Sequence, residues 1–242
     1  LLGNLSASAQ TPGQIFSVCS TVGNPLDPNG DGYISSTGAA FSASNLDEID
    51  EFESADWNVV WHLEGEPTAD LRTGSNCGST EIVDNPNTNQ HAAYFRLVDP
   101  DTDPANRNEQ LILRMRVARN PTGAFGYSFL IDLDGKIGFT GANADPDAVA
   151  GNPGFELEII YGSGGAGSGV NLLDVNTLSS TSTLASYAEG ARNQRSYAQY
   201  SNCTTQDPVF IDFYIDISSF PIGFDATTPL RLVFATSSSP NS

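Results

Sequence analysis

In the stretch "DPNGDGYIS", Asp27, Asn29 and Asp31 stand at alternate positions, followed by Gly32 and then Tyr33. An oxygen-donating side chain at every second position, a glycine at the sixth for the sharp turn and a backbone carbonyl at the seventh are what an EF-hand-type loop wraps around Ca²⁺. Position twelve, which in that loop gives a bidentate acid, is Gly38 here. The last ligands would therefore come from elsewhere, with Asp47 and Glu48 as candidates. No helices clearly flank the loop, so the expected role is a structural calcium staple and not a sensor that opens a groove.

A second acidic segment, "IDLDGKIG", sets Asp132 and Asp134 at the end of an apolar run with Lys136 two residues on. It is read either as a second cation site, or a share of the first, or as a strand ending in an Asp-Gly turn. Two further acidic stretches, 99–109 and 143–154, are read as solvated loops, because their prolines interrupt regular ligand spacing. Catalytic signatures are weak. The two histidines, His62 and His91, lie near no nucleophile motif, and G-x-S-x-G is absent. The reading is therefore non-catalytic. Trp57 and Trp61 are candidate platforms for stacking sugar rings.

With 29 Asp+Glu against 10 Lys+Arg, the net charge of -19 disfavours nucleic acid and anionic membrane surfaces and favours cations. Of the three cysteines, Cys77 and Cys203 sit in polar, loop-like surroundings and are favoured as a disulfide, while Cys19 follows an apolar "IFSV" and reads as a buried thiol. Residues 1–9 look like the remnant of a secretory signal peptide, with Ala7-Ser8-Ala9 as the cleavage signal. Residues 10–236 are read as one domain and 237–242 as the start of a linker. No apolar run approaches the about 20 residues a bilayer span needs, so no membrane insertion is expected and the protein is placed outside the cell or at its surface.

The elements that must carry these residues are strands. "QLILRMRVA" alternates Leu111, Leu113, Met115 and Val117 against Arg114 and Arg116, and "GFELEIIYG" alternates Phe155, Leu157, Ile159 and Tyr161 against Glu156 and Glu158. The opposite charges on their polar faces would pair if the two strands were neighbours. Further strands are expected at 58–65, 92–99, 126–132, 209–218 and 229–236, and "GSGGAGSG" at 162–169 reads as a hairpin tip. Only 45–57 and 186–200 look weakly helical. The expected fold is all-β: an antiparallel β-sandwich, jelly-roll or carbohydrate-binding-module-like, with long loops and one or two short helices.

Taken in order, "DPNGDGYIS", Cys77-Gly78, "LILRMRVA", "YSFLIDLDGKIG", "AGNPGFELEI", the Cys203 region and "FIDFYIDISSF" resemble the N-terminal domain of giant secreted surface proteins and gliding-motility-associated adhesins of the Bacteroidetes, substrates of type IX secretion. The likeness runs from about Phe16 to Thr236. A looser similarity links the chain to DOMON and family 9 carbohydrate-binding sandwiches. The resemblance supports the Cys77–Cys203 pair, supplies no catalytic residue and implies a cell-surface adhesin or extracellular assembly. The expected partner is an extracellular glycan or another surface protein. The alternatives are a carbohydrate-binding module and a filament subunit that self-assembles by strand addition through its N-terminal segment.

Overall fold

In the computed structural model the described residues are 13–17, 25–27, 32, 34, 57–60, 71, 74–84, 92–101, 103, 106–165, 167–176, 181–198, 201–203, 207–225 and 227–239. Their regular structure is nearly all β, in eleven strands: β1 (Ile15–Ser17), β2 (Asn58–Val59), β3 (Ala93–Val98), β4 (Gln110–Val117), β5 (Phe125–Asp132), β6 (Leu157–Ser163), β7 (Gly169–Asp174), β8 (Ser182–Tyr187), β9 (Asn193–Tyr197), β10 (Val209–Asp216) and β11 (Arg231–Ser237). They form two antiparallel sheets. One is six-stranded, in the order β1-β9-β10-β4-β3-β2, and the other five-stranded, in the order β11-β5-β6-β7-β8. The expected all-β sandwich is what the chain adopts.

Period-two alternation puts Leu111, Leu113, Met115 and Val117 of β4 and Val209, Ile211, Phe213 and Ile215 of β10 on the inner face of the larger sheet. They meet Tyr127, Phe129 and Ile131 of β5 and Leu157, Ile159 and Tyr161 of β6 on the smaller one. Phe129 and Phe213 interlock edge to face across the gap, with ring centroids 5.8 Å apart. Glycine-rich 162–169 turns β6 into β7, as its composition implies.

The two alternating strands are not neighbours. β4 lies in the six-stranded sheet and β6 in the five-stranded sheet, so the arginines of the one do not meet the acids of the other. Arg114 instead lies opposite Asp212 of β10 and grips it with two bonds of 2.7 and 2.9 Å, both side chains buried. Tyr94 on one side and Gln194 on the other continue this row across the sheet. Gln194 Nε2 donates to Asp212 at 3.3 Å and to the Leu26 carbonyl at 2.9 Å. Above the row, Ile15 and Ile34 pack with Tyr94 and Phe210, and Leu26 with Ile112 and Tyr214. Parts of the N-terminal chain therefore cover the outer face of this sheet. β1 pairs with β9 of its own chain.

The weakly helical expectation for 186–200 is corrected over its described residues, 186–198, which are the end of β8, a turn and β9. β9 pairs along its length with β10 and buries Asn193, Gln194 and Ser196, so non-local pairing and burial override a weak local preference. The other weakly helical stretch, 45–57, lies outside the described residues except for Trp57.

Cys77 and Cys203 form a disulfide, with Cα atoms 5.6 Å apart and a sequence separation of 126. It is packed beside Val83 and Ala118. Closing a loop of that length removes about 4–5 kcal/mol of unfolded-chain entropy in the loop-closure account. No helix among the described residues is long and apolar enough to cross a membrane.

Removing one member of a buried ion pair strands the other. Asp212→Ala should cost about 3–5 kcal/mol in chemical denaturation, whereas the double change Arg114→Met/Asp212→Leu should cost far less. A double variant as unstable as the single one would mean that the pair is intrinsically stabilising and not merely obligatory.

Candidate metal centre

The connection between β5 and β6, residues 133–156, gathers carboxylates from three places in the chain. Asp132 and Asp134 come from the end of β5 and the turn after it, Asp145 and Asp147 from the middle, and Glu156 from the last residue before β6. They make two triads that share Glu156. One oxygen each of Asp132, Asp134 and Glu156 lies within 4.8 Å of the others, and the same holds for Asp145, Asp147 and Glu156. Ligand oxygens around one Ca²⁺, each about 2.3–2.6 Å from it, stand no more than about 5 Å apart. Each triad is therefore able to hold a metal ion. Asp132, Asp145 and Glu156 are buried, Asp147 half-buried and Asp134 exposed.

Local sequence explains why these groups converge. Asp132 caps the Asp-Gly turn, accepting from the Gly135 amide at 2.7 Å and the Ile137 amide at 3.3 Å. Asp145 folds its own turn by accepting from the Asp147 amide at 2.8 Å. Asn152 pins the end of the connection: its amide donates to the carbonyls of Phe155 and Val175, and its side-chain oxygen accepts from the amides of Gly154 and Phe155. The strand register is then closed by the Glu156 amide donating to Ile131. Gly154, at φ +120°, packs directly on the Asp145 carboxylate. A Cβ there would lie 1.9 Å from Asp145 Oδ2.

The charges are unevenly balanced. The Lys136 ammonium bonds to Asp134 and draws that acid below its ordinary value, and Arg231 Nη1 stands 3.6 Å from Asp132. Burial, and then Asp134, Asp132 and Asp145, push the Glu156 acid up, against the Leu133 amide that donates to Oε2 at 2.6 Å and pulls it down. Glu156 Oε1 and Asp145 Oδ2 are buried oxygens without a hydrogen-bond partner. Such groups are costly unless something supplies a donor or a cation.

Of the residues singled out in the sequence, Asp132 and Asp134 meet in this cluster. Asp27 joins neither triad; its carboxylate accepts from the Gly32 amide at 3.2 Å and so closes its own loop. Asn29, Asp31 and Tyr33 lie outside the described residues, as do Trp61, His62 and His91. Trp57 is half-buried, with the guanidinium carbons of Arg114 and Arg96 at 4.2 and 5.5 Å from its ring centroid. The solvated-loop expectation is corrected for 143–154 by the buried Asp145 and for 99–109 by Glu109, which is buried, although Asp101 and Asp103 in that stretch are exposed. There, exposed Asp101 accepts from Asp103, Asn106 and Asn108.

A groove of about 340 Å³ lies beside the cluster, over the outer face of the five-stranded sheet. It is lined by Ser128, Leu130, Asn152, Phe155, Glu158 and Ala235, among others. Ser128 donates to Glu158 at 2.5 Å, and burial pushes the Glu158 carboxyl above its ordinary pKa. Compared with protein-family models, curated proteins and solved structures, the chain matches none.

Two variants test this geometry. Gly154→Ala should lower stability by at least about 1–3 kcal/mol from backbone strain alone, measured by denaturant melts. Glu156→Gln, which keeps shape and removes charge, should be no less stable than the parent in chelator and less stable than the parent in calcium. A loss of equal size in both buffers would show that the carboxylate serves only the fold.

Proposed function

We propose that this chain is a non-catalytic, calcium-stabilised module of a secreted cell-surface adhesin or extracellular assembly. The observation that carries this reading is the five-carboxylate cluster built around Glu156 at one end of the five-stranded sheet. A donor set of carboxylates, with no histidine or thiolate, suits hard cations such as Ca²⁺ or Mg²⁺ over zinc or copper. Ca²⁺ is favoured because it accepts several carboxylates in irregular geometry, whereas Mg²⁺ demands near-ideal octahedra and keeps its waters. A disulfide is at home in an oxidising compartment, which supports placement outside the cytosol. The resemblance of "IDLDGKIG" and "GNPGFELE" to segments of the Bacteroidetes adhesin domain supports the same placement, and both segments feed this cluster.

A second reading, a carbohydrate-binding module, draws on the groove beside the cluster rather than on Trp57. Its hydroxyls and the Glu158 carboxylate over an apolar floor suit a ligand with both hydroxyls and apolar faces. A glycan array run in calcium and in chelator tests it directly: retention on a defined sugar supports a lectin-like module, and silence from folded protein directs the search to protein partners.

The calcium reading makes a quantitative prediction. A cation present at about a hundred times its Kd adds about 2.7 kcal/mol of stability, which at this chain length is a rise of about 5–11 °C in Tm. Calorimetry with calcium raised to about a hundred times its titrated Kd, against chelator, should show that rise, with magnesium giving a smaller one. Superimposable curves in calcium and chelator would overturn the reading.

A further inference from the structure

The two triads differ in a way that assigns the ion to one of them. We infer that the divalent cation is held by Asp145, Asp147 and Glu156, and that Lys136 serves the neighbouring Asp132–Asp134 half as a built-in cation; this rests on the calcium reading above.

Lys136 is the only lysine in the chain, and it stands inside the most concentrated group of carboxylates that the described residues contain. Its ammonium bonds to Asp134, and its backbone amide donates to the other oxygen of the same carboxylate at 3.0 Å. Asp132 is committed as well. Both of its oxygens accept turn amides, and Arg231 approaches one of them. The first half is thus neutralised by two cations of the chain and held in shape by backbone donors.

The second half has backbone donors but, among the described residues, no cation of its own. No ion pair to Asp145 or Asp147 occurs among the described residues. Asp145 spends one oxygen on the Asp147 amide and keeps Oδ2 buried and unsatisfied. Glu156 likewise spends Oε2 on Leu133 and keeps Oε1 buried and unsatisfied. Asp145 and Glu156 are 5 % and 7 % exposed, so water does little to relieve these oxygens. A pocket that holds buried carboxylate oxygens without donors is incomplete until a cation enters. Asp145 and Asp147 stand close enough to raise the pKa of the Lys136 ammonium, but its bond goes to Asp134. The lysine therefore also adds repulsion toward an ion in the second half, which weakens binding. Extracellular modules work at calcium affinities of about 10⁻⁴–10⁻³ M, a range in which such repulsion is tolerated.

The test is calorimetric titration of CaCl₂ into the metal-stripped full chain, with circular dichroism to show that each variant is folded. The parent should bind one ion. Asp147→Asn, at a half-buried position, should weaken binding by at least about ten-fold, while Asp134→Asn should leave the constant within about three-fold. Lys136→Met should tighten the site or open a second one of lower affinity. Loss in Asp134→Asn equal to that in Asp147→Asn, or two ions bound by the parent, would overturn the assignment while leaving the calcium reading standing. Absence of any calcium binding to the folded parent would overturn both.

Discussion

The pair of Arg114 and Asp212 sets the terms for the rest of the molecule. Two opposite charges sit in the middle of a sheet face, where burial costs each its hydration and only close pairing and further hydrogen bonds offset that cost. Gln194 meets one position on Asp212, and the rings of Trp57 and Phe210 lie against the guanidinium at 4.2 and 4.8 Å. The same Gln194 holds the carbonyl of Leu26, so the chain that covers this face is tied to the pair it shields. The six-stranded sheet is consequently buried on both faces: Tyr94, Ile112, Phe210 and Tyr214 on the outside are as inaccessible as Leu113 and Phe213 on the inside. The five-stranded sheet is not. On its outer face Leu130, Glu158, Asn171 and Leu173 are half-buried and Val233 is exposed. Among the described residues, that face is the more open of the two outer faces.

The molecule handles buried charge in two opposite ways. At Arg114 and Asp212 the chain supplies both signs and the site is closed. Around Glu156 it supplies five negative groups and brings Lys136 and Arg231 to one side only. The closed pair behaves as architecture. The open cluster has free energy to gain from something outside the chain, and an acidic chain of net charge -19 attracts cations toward it from a distance.

Much of this fold can be read from the sequence, because the strongest signals are local. The alternation in "QLILRMRVA" and, from Leu157 on, in "GFELEIIYG" places the inner-face residues correctly, while Phe155 turns to the groove instead; glycine and proline mark the turns, and the polar settings of Cys77 and Cys203 single them out for pairing. Partner choice between strands is a different matter. Arg114 and Glu158 have complementary charges yet lie in different sheets, since β4 pairs with β3, the strand before it, and with β10, which comes from a distant part of the chain. Short strands such as β1 and β9 carry too little pattern to announce themselves, and β9 is fixed by what it pairs with. In the candidate site, Asp132 and Asp134 stand out because Asp-Gly follows a strand, and Glu156 reads as one more alternating polar residue. Asp145 is hidden by Pro146, which makes its stretch resemble a solvated loop; its burial comes from Asn152 and Gly154 folding the connection back, a tertiary effect with no local trace.

The cluster also explains how a long connection between two adjacent strands keeps one shape. Its carboxylates come from the start, the middle and the end of residues 133–156: Lys136 and Arg231 hold the start, and an ion at Asp145, Asp147 and Glu156 would tie the middle to the end. The entropy cost of closure grows only slowly with loop length. The far end of the same connection carries Asn152 and Phe155, which form a wall of the groove over the open sheet face. Asn152 is bonded at the same time to Val175 after β7, which couples that wall to the sheet. A cation at Asp145, Asp147 and Glu156 would therefore fix the segment that shapes the groove without touching anything bound there. In that arrangement the ion need not be part of a recognition surface for binding to depend on it, because loss of the ion would loosen the wall.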